Sequence, residues 1–296
     1  MNSLQSLTHI ANNLRHTINC KGRLIDLSTP KIMGILNITP DSFFAGSRYM
    51  EENEILKQTK KMLAEGAEFI DIGGYSSRPG AIDISEDQEL KRVLPVVKLL
   101  VANFPEILIS IDSFRSRVIE KCIEAGAAIA NDISGGDADA QMFKTIRELQ
   151  VPYILMHMQG KPSDMQLNPN YKNITEELLA YFAKKSYELR VLGTNDIILD
   201  MGFGFGKNIN HNYKLLSNLD KFHELDLPIL VGLSRKSMLY KPLGLTPKEA
   251  LNATSIAHTL ALQNNCNILR VHDVKEAKQA IEISELYNKA RATKTS

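Results

Sequence analysis

The sequence lacks tryptophan and has only three cysteines in 296 residues. Cys20, Cys122 and Cys266 lie far apart with no Cys-x-x-Cys spacing, so the sequence predicts neither a disulfide framework nor a zinc knuckle. No run of about 18 apolar residues is present, and this argues against a membrane-spanning helix. Because residues 1–27 also lack the pattern of a signal peptide, we expect a cytoplasmic protein with free thiols.

An excess of charge of one sign is also missing. The 35 Lys and Arg residues nearly balance the 34 Asp and Glu residues, for a net charge of +1. This balance gives no electrostatic reason to expect nucleic acid or an anionic membrane as a partner. No linker rich in Pro, Gly or Ser divides the chain. The sequence therefore predicts a single domain over residues 1–296.

Short apolar runs alternate with amphipathic stretches along most of the chain. The runs are Ile32–Leu36, Phe69–Ile72, Ile107–Ile111, Ala127–Ala130, Tyr153–Met156, Ile197–Leu199, Ile229–Val231 and Ile268–Val271. A doubly wound open sheet is the competing interpretation, but no glycine fingerprint follows the first run. The pattern favours an α/β fold, a (β/α)8 TIM barrel. Residues 1–30 form a predicted lead-in, with a helix over 1–16 and a hairpin from Thr17 to Leu27.

Polar residues follow nearly every predicted strand, and in a barrel such residues converge at one mouth. They are Asn37, Asp71, Asp112, Ser113, Asn131, Asp132, His157, Asp200, Ser234, Arg235, Lys236, Arg270, His272 and Asp273. One polar residue at a strand end is most often a helix N-cap, and Ser113, Asp132 and Asp273 stay open to that interpretation. Eight strands that all end this way indicate a binding or catalytic mouth.

Three segments bear on anion binding. The loop Asp71–Gly80 offers glycine amides, hydroxyls and one Arg, although a plain tight turn explains it equally well. Arg270 and His272 share a face of the last strand and suit an oligophosphate, with an ion pair from Arg270 to a carboxylate as the alternative. The segment Gly202–Lys207 fits neither common phosphate-loop spacing, and we interpret it as a turn whose phenylalanines form a pocket wall.

Motifs for tightly bound metals and for covalent catalysis are missing. The sequence has no His-x-His, His-Glu-x-x-His or acidic triad, which argues against zinc or a di-iron centre. A magnesium ion held by one neutral oxygen, substrate phosphates and water stays compatible with it. No Gly-x-Ser-x-Gly elbow or Cys–His pair supports a covalent nucleophile. Asp112 and Asp200 remain open as general bases, metal ligands or acceptors for a ring with adjacent N–H donors.

Seven segments resemble, in order, the motifs of the dihydropteroate synthases, a folate-pathway family. They are MGILNITPDSF, DIGGYSSRPGA, SIDSFRSRV, NDISGG, ILDMGFGFGK, VGLSRKSM and RVHDV. The resemblance implies a TIM barrel, typically a homodimer, that uses magnesium. It also implies the joining of 6-hydroxymethyl-7,8-dihydropterin diphosphate to 4-aminobenzoate, which gives 7,8-dihydropteroate and pyrophosphate.

The resemblance further implies a role for each matching residue. Asn37 would be the protein's magnesium ligand. The pterin ring would be held by Asp112, Asn131, Asp200 and Lys236. The diphosphate would be bound by Arg270 and His272, assisted by Ser77 and Arg78, and the aminobenzoate pocket would include Phe43 and Pro79. The catalytic residues would be Lys236, Arg270, His272 and Arg78.

Two alternatives accompany this expectation. A pterin-dependent methyltransferase barrel needs no diphosphate site, so Arg78, Arg270 and His272 argue against it. A non-catalytic pterin-binding barrel is suggested by the first loop, which has Phe44-Ala45 where many family members have Ser-Asp. The second motif also departs from the family, with Tyr75 where Glu is common. The last helices, from Lys248 to about Ala290, mix apolar and charged residues and could pair two subunits.

Overall fold

The structure is a computed structural model that describes residues 16–38, 48–76, 83–160, 165, 167 and 169–292. A two-stranded antiparallel hairpin precedes eight parallel strands that close into a barrel in the order β10-β3-β4-β5-β6-β7-β8-β9. The strands are β1 Thr17–Cys20, β2 Arg23–Asp26, β3 Lys31–Asn37, β4 Phe69–Gly73, β5 Leu108–Asp112, β6 Ile129–Asp132, β7 Tyr153–Met156, β8 Ile197–Asp200, β9 Ile229–Val231 and β10 Ile268–Val271.

Helices follow the barrel strands and cover the outside of the barrel. Those in the described part of the chain are α1 Arg48–Ala64, α2 Glu86–Asn103, α3 Ser116–Glu124, α4 Met142–Leu149, α5 Ile174–Leu192, α6 Ile209–Leu216, α7 Ser237–Tyr240, α8 Leu251–Gln263 and α9 Val274–Ala292. Short 3-10 segments occur at Leu219–Leu225, Lys241–Leu243 and Pro247–Glu249. Within the described ranges, no helix has the length and apolar character needed to cross a bilayer.

The predicted barrel and hairpin are confirmed. Each of the eight apolar runs corresponds to one barrel strand, and Tyr153–Met156, Ile229–Val231 and Ile268–Val271 match residue for residue. The hairpin turns at Lys21-Gly22, where both residues have positive φ. The helix predicted over residues 1–16 lies outside the described residues, except for His16.

The hairpin closes the bottom of the barrel. The inward side chains at the N-terminal ends of the strands form one apolar cluster with the hairpin: Met33, Phe69, Leu108, Ile129, Ile154, Ile198, Leu230 and Ile268, with Ile18, Cys20, Ile25 and Leu27. Burying each large apolar side chain contributes about 1.5–3 kcal/mol. Polar contacts fix the hairpin, since Asn19 N–H donates to Asp196 Oδ2 at 3.0 Å and Lys21 Nζ to the Gly126 carbonyl at 3.0 Å.

Strand alternation makes the barrel interior apolar at the bottom and polar at the top. In β4, alternate residues point inward, so Phe69 lies in the apolar floor, Asp71 one layer higher, and Gly73 at the mouth. In β5 the same alternation places Asp112 at the mouth above Leu108 in the floor. The opposite faces of the strands are apolar and pack against the helices. Polar chemistry is therefore concentrated at the C-terminal end of the barrel.

Candidate active site

One level of the barrel mouth spans four neighbouring strands. The parallel register pairs Asn37 with Gly73, Gly73 with Asp112, and Asp112 with Asn131, so these residues lie side by side. Gly73 leaves a gap in this row, because a Cβ there would lie 3.5 Å from Asp112 Cβ and 3.7 Å from Asn37 Oδ1. The predicted residues Asn37, Asp112 and Asn131 therefore line the mouth together.

Arg270 crosses the barrel interior and binds two carboxylates. Its Nε donates to Asp71 Oδ2 at 2.6 Å, and its second terminal nitrogen donates to Asp112 Oδ2 at 2.6 Å. The Asn131 amide also donates to Asp71, at 3.2 and 3.3 Å to its two oxygens. Burial and the Asp71 charge raise the pKa of Asp112, while Arg270 opposes that shift. The alternative of an ion pair for Arg270 is thus realised in this structure.

Asp71 is the member of this network to which the sequence assigned no individual role. Its side chain is fully buried, and it accepts from both Arg270 and Asn131. A signal existed: Asp71 lies two residues before Gly73, the mouth residue of its strand, and therefore shares its inward face. Asp71 binds Arg270 from one layer below the mouth, inside the barrel and not at the end of its strand.

Asp200 and Lys236 lie on the other side of the mouth. Asp200 is buried and accepts from Gly202 N–H at 2.8 Å. Lys236 Nζ donates to the Phe203 carbonyl and lies 4.8 Å from the Phe205 ring centroid. Burial lowers the pKa of Lys236 to about 8, with the Asp200 charge opposing. Burial likewise raises the pKa of Asp200, against the effect of Lys236.

Arg235 joins the loops that follow β9 and β10. Its guanidinium binds Asp273 through two hydrogen bonds, of 2.8 and 2.9 Å, and its backbone N–H donates to Thr254 Oγ1 at 3.1 Å. Arg235 has a φ of +54°, a conformation that costs a non-glycine residue about 1–2 kcal/mol. These bonds hold the backbone that presents Lys236. In the other loop, His272 Nδ1 lies 3.0 Å from Ser234 Oγ.

The three residues left open as helix caps have other partners. Asp132 accepts from the backbone of Ser134 and Gly136 at 2.7 Å each and so closes a turn after β6. Ser113 Oγ accepts from Arg115 N–H at 3.2 Å, ahead of α3. Asp273 binds Arg235. Polar strand ends in this barrel thus divide between the mouth and the turns that shape it.

Several predicted residues fall outside the described part of the chain. These are Phe43, Ser77, Arg78 and Pro79, together with the altered Phe44-Ala45 pair. The residues that flank the second loop are described. The Tyr75 ring packs edge-on against Phe114 at 5.0 Å between centroids, and Arg115 lies 5.4 Å above Tyr75 while donating to the Ile84 carbonyl at 2.6 Å. Arg115 thereby contacts both flanks of that loop.

The residues at the mouth fit a weakly held divalent cation. Among the described residues, no group of three or more His, Cys, Asp or Glu side chains has the arrangement of a metal cage. The carboxylates of Asp71 and Asp112 are engaged by Arg270. Asn37 offers a neutral side-chain oxygen at the mouth, and a hard cation such as magnesium accepts one such ligand alongside phosphate oxygens and water.

Comparison with known proteins identifies the family. Residues 33–272 match the family model described as pterin binding enzyme. The dihydropteroate synthase of Escherichia coli strain K12 is 40% identical over 276 residues, which cover 93% of this chain and 97% of the relative. The chain belongs to the dihydropteroate synthase family. The resemblance found in the seven motifs is therefore confirmed. Dihydropteroate synthases are transferases, so this chain is an enzyme of that class.

Solved structures of dihydropteroate synthases share the fold along the same length. The Yersinia pestis enzyme in a sulfonamide drug complex has a TM-score of 0.86 and 39% identity, covering 93% of this chain and all of that one. The Xanthomonas albilineans enzyme with 4-aminobenzoic acid has a TM-score of 0.86 and 33% identity, covering 93% and 98%. The residues matched to the family model, 33–272, include Asn37, Asp112 and Arg270.

Proposed function

We propose that this chain joins 6-hydroxymethyl-7,8-dihydropterin diphosphate to 4-aminobenzoate, giving 7,8-dihydropteroate and pyrophosphate. The observation that carries the proposal is the convergence of Asp112, Asn131, Asp200, Lys236 and Arg270 at one mouth. Membership of the dihydropteroate synthase family supports it, as does the Xanthomonas albilineans relative solved with 4-aminobenzoic acid.

The pterin half of the proposal follows from hydrogen-bonding capacity. A pterin edge carries adjacent N–H donors, which suit the buried carboxylate of Asp200. Asn131 supplies both a donor and an acceptor, and Lys236 supplies only donors. These groups lie around one opening, so they are able to read the edge of a flat ring. Asp112 completes the set on the Asn131 side.

The diphosphate half depends on Arg270 and His272. Arg270 uses two of its five N–H groups on Asp71 and Asp112, and the others remain for phosphate oxygens. His272 follows two residues later, directly after the end of β10, with its Nδ1 3.0 Å from Ser234 Oγ. Both residues stabilise the negative charge that builds on pyrophosphate as it leaves. Arg78 and Ser77 are proposed to assist from the second loop.

Magnesium is the proposed cofactor, with Asn37 as its protein ligand. When bound, the ion neutralises diphosphate oxygens and so makes pyrophosphate a better leaving group. Asn37 supports this assignment because its neutral oxygen lies in the same row as Asp112. Phosphate oxygens of the substrate and water would supply the other ligands, because the described residues contain no protein metal cage.

The proposed reaction exchanges one bond for another at the pterin methylene carbon. The C–O bond to the diphosphate breaks, and the oxygen keeps the electron pair as pyrophosphate leaves. The neutral amine of 4-aminobenzoate forms the new C–N bond and then loses a proton to solvent. Lys236 and Asp200 hold the ring while Arg270 and His272 receive the departing charge. Phe43 and Pro79 are proposed to lie near the aminobenzoate.

Pyrophosphate release tests this proposal. The purified protein is given the pterin diphosphate, magnesium and 4-aminobenzoate, and each component is omitted in turn. We expect release only with all three, and we expect Asn37→Ala to raise the magnesium concentration needed for half-maximal rate. Tight binding of the pterin diphosphate without any release, in the complete mixture, would contradict the synthase function and favour a non-catalytic pterin-binding barrel.

We also propose a homodimer formed through α8 and α9. Five apolar side chains on these helices have exposed fractions between 48% and 64%: Ile256, Leu260, Ile283, Leu286 and Tyr287. Such a surface is typical of a subunit interface.

Sedimentation velocity should give a dimer that Leu286→Glu converts to a monomer. The matched control is Leu24→Glu, because Leu24 is also an exposed leucine and lies on the hairpin. If both variants sediment like the unmodified chain, the proposed interface is wrong.

A further inference from the structure

Lys207 is a buried cation outside the predicted binding set. Its side chain is 2% exposed, and its Nζ meets four acceptors. They are His157 Nδ1 at 3.0 Å and the carbonyls of His157, Gly202 and Phe205 at 3.1, 3.1 and 3.0 Å. None of these four is a carboxylate. Burying an ammonium group that has no carboxylate among its hydrogen-bond partners costs free energy that a neutral side chain would avoid.

Lys207 ends a short loop, Gly202–Gly206, that is packed tightly against the segment after β7. Gly202 and Gly206 have φ of +63° and +58°, and a Cβ on either would overlap a carbonyl oxygen, of His157 and Gln159 respectively. The loop therefore has a conformation that only glycine permits. Lys207 fixes it by drawing two of its carbonyls toward one buried point.

Three other groups of the same loop contact the predicted pterin-binding residues Asp200 and Lys236. Gly202 N–H donates to Asp200 Oδ1, and the Phe203 carbonyl accepts from Lys236. The Phe205 ring lies beneath the same ammonium group. The carbonyls of Gly202 and Phe205 thus accept from Lys207, and the Phe203 carbonyl between them accepts from Lys236. Lys207 binds the loop from inside the protein, and Lys236 contacts it from the mouth.

We infer that Lys207 is a positioning residue for the pterin half of the site. Its ammonium group holds the Gly202–Gly206 loop so that the loop in turn orients Asp200 and Lys236. The inference rests on the proposed function for its kinetic consequence, whereas the hold on the loop stands on the hydrogen bonds alone. A displacement of about 1 Å in such groups changes rates on the order of 100-fold.

The charges around Lys207 agree with this role. Burial lowers the pKa of Lys207 to about 7, while Asp200 opposes the shift and Lys236 adds to it. His157 is held neutral, because burial and the neighbouring Lys207 lower its pKa to about 2. A neutral imidazole whose Nδ1 faces an ammonium group acts as an acceptor. The site thereby offers Lys207 acceptors only, and the charged form, with three N–H donors, serves more of them than the neutral amine would.

The test uses Lys207→Met, which keeps most of the length of the side chain and removes its donors. Lys207→Gln is the second variant, to be measured if Lys207→Met does not fold. Hydrogen exchange measures the hold on the loop, and we expect at least about 10-fold faster exchange of the Gly202 amide. Steady-state kinetics measure the consequence. We expect KM for the pterin diphosphate to rise on the order of 10–100-fold, with KM for 4-aminobenzoate changed much less.

Tyr171→Phe is the matched control. Tyr171 Oη donates to the Gly206 carbonyl at 2.8 Å, so this change removes a donor from the same loop at a residue that makes no hydrogen bond with Asp200 or Lys236 among the described residues. We expect it to leave the ratio of the two KM values unchanged. Equal shifts in both KM values for Lys207→Met, or the same kinetic pattern in Tyr171→Phe, would overturn the inference. Were the unmodified chain inactive, the proposed function would fail, but exchange at Gly202 would still decide whether Lys207 holds the loop.

Discussion

Arg270→Met is expected to lower pyrophosphate release by about 10²–10³-fold and the free energy of unfolding by about 3–5 kcal/mol. The activity falls because the leaving group loses a charged donor. The stability falls because the Asp71 carboxylate, fully buried and 2.6 Å from Arg270 Nε, loses its cation. Urea denaturation and the pyrophosphate assay measure the two effects separately.

Asp71→Asn combined with Arg270→Met separates the two causes. The double variant removes the Arg270 charge and the fully buried Asp71 charge, and it leaves Asp112, whose side chain is 23% exposed, without its cation. We therefore expect part of the lost stability to return while the activity does not.

Arg117→Met is a matched single control, since Arg117 is an exposed arginine paired with Glu86 and Asp87. It should change stability by no more than about 1 kcal/mol. If Arg270→Met unfolds at the same urea concentration as the unmodified chain, the buried ion pair does not have the assigned role.

Lys236→Met is expected to reduce activity by about 10²–10³-fold and to abolish the alkaline limb of the pH profile. In the unmodified chain, burial lowers the pKa of Lys236 to about 8 from 10.5. In the proposed function the ammonium form donates to the pterin, so kcat/KM should fall as the pH rises above about 8. A pH profile of both proteins, with Lys241→Met as an exposed-lysine control, measures this difference.

The same group makes a contribution of opposite sign to stability. Between pH about 8 and 10.5, the unfolded chain keeps the Lys236 proton that the folded chain has lost, so stability rises with pH through that window. The unmodified chain should therefore gain unfolding free energy relative to Lys236→Met as the pH rises across it. A difference between the two proteins that is constant from pH 7 to 10 (a range spanning the shift) would show that Lys236 does not titrate in that window.

The barrel could be predicted because its pattern is local and repeated. Each strand is a short apolar run, and the alternation with amphipathic stretches fixes the order of strands and helices. The polar strand ends also followed from the fold, since the C-terminal ends of parallel strands meet at one mouth. Asn37, Asp112 and Asn131 lie in one row for this reason.

The contacts between mouth residues depend on long-range geometry, and no local pattern in the chain distinguishes one possible pair from another. Arg270 had several carboxylates within reach, and the barrel stagger selects Asp71 and Asp112. Lys207 lies in a segment interpreted as a turn and had no predicted role of its own, whereas in the structure its side chain is buried against the His157 carbonyl. Arg235 is one of the polar residues at the strand ends to which the sequence assigned no individual role, and the structure shows that it pairs with Asp273.

The ion pairs of Arg270 impose an order of assembly on the growing chain. Asp71 and Asp112 are synthesised first, and their cation arrives with the last barrel strand, 199 and 158 residues later. A nascent chain that ends before β10 therefore contains a carboxylate pair without its counter-charge and a sheet without its closing strand. We therefore expect the barrel to close and its interior carboxylates to be neutralised in one step, once β10 has been synthesised. The complete mouth then forms at the end of folding rather than strand by strand.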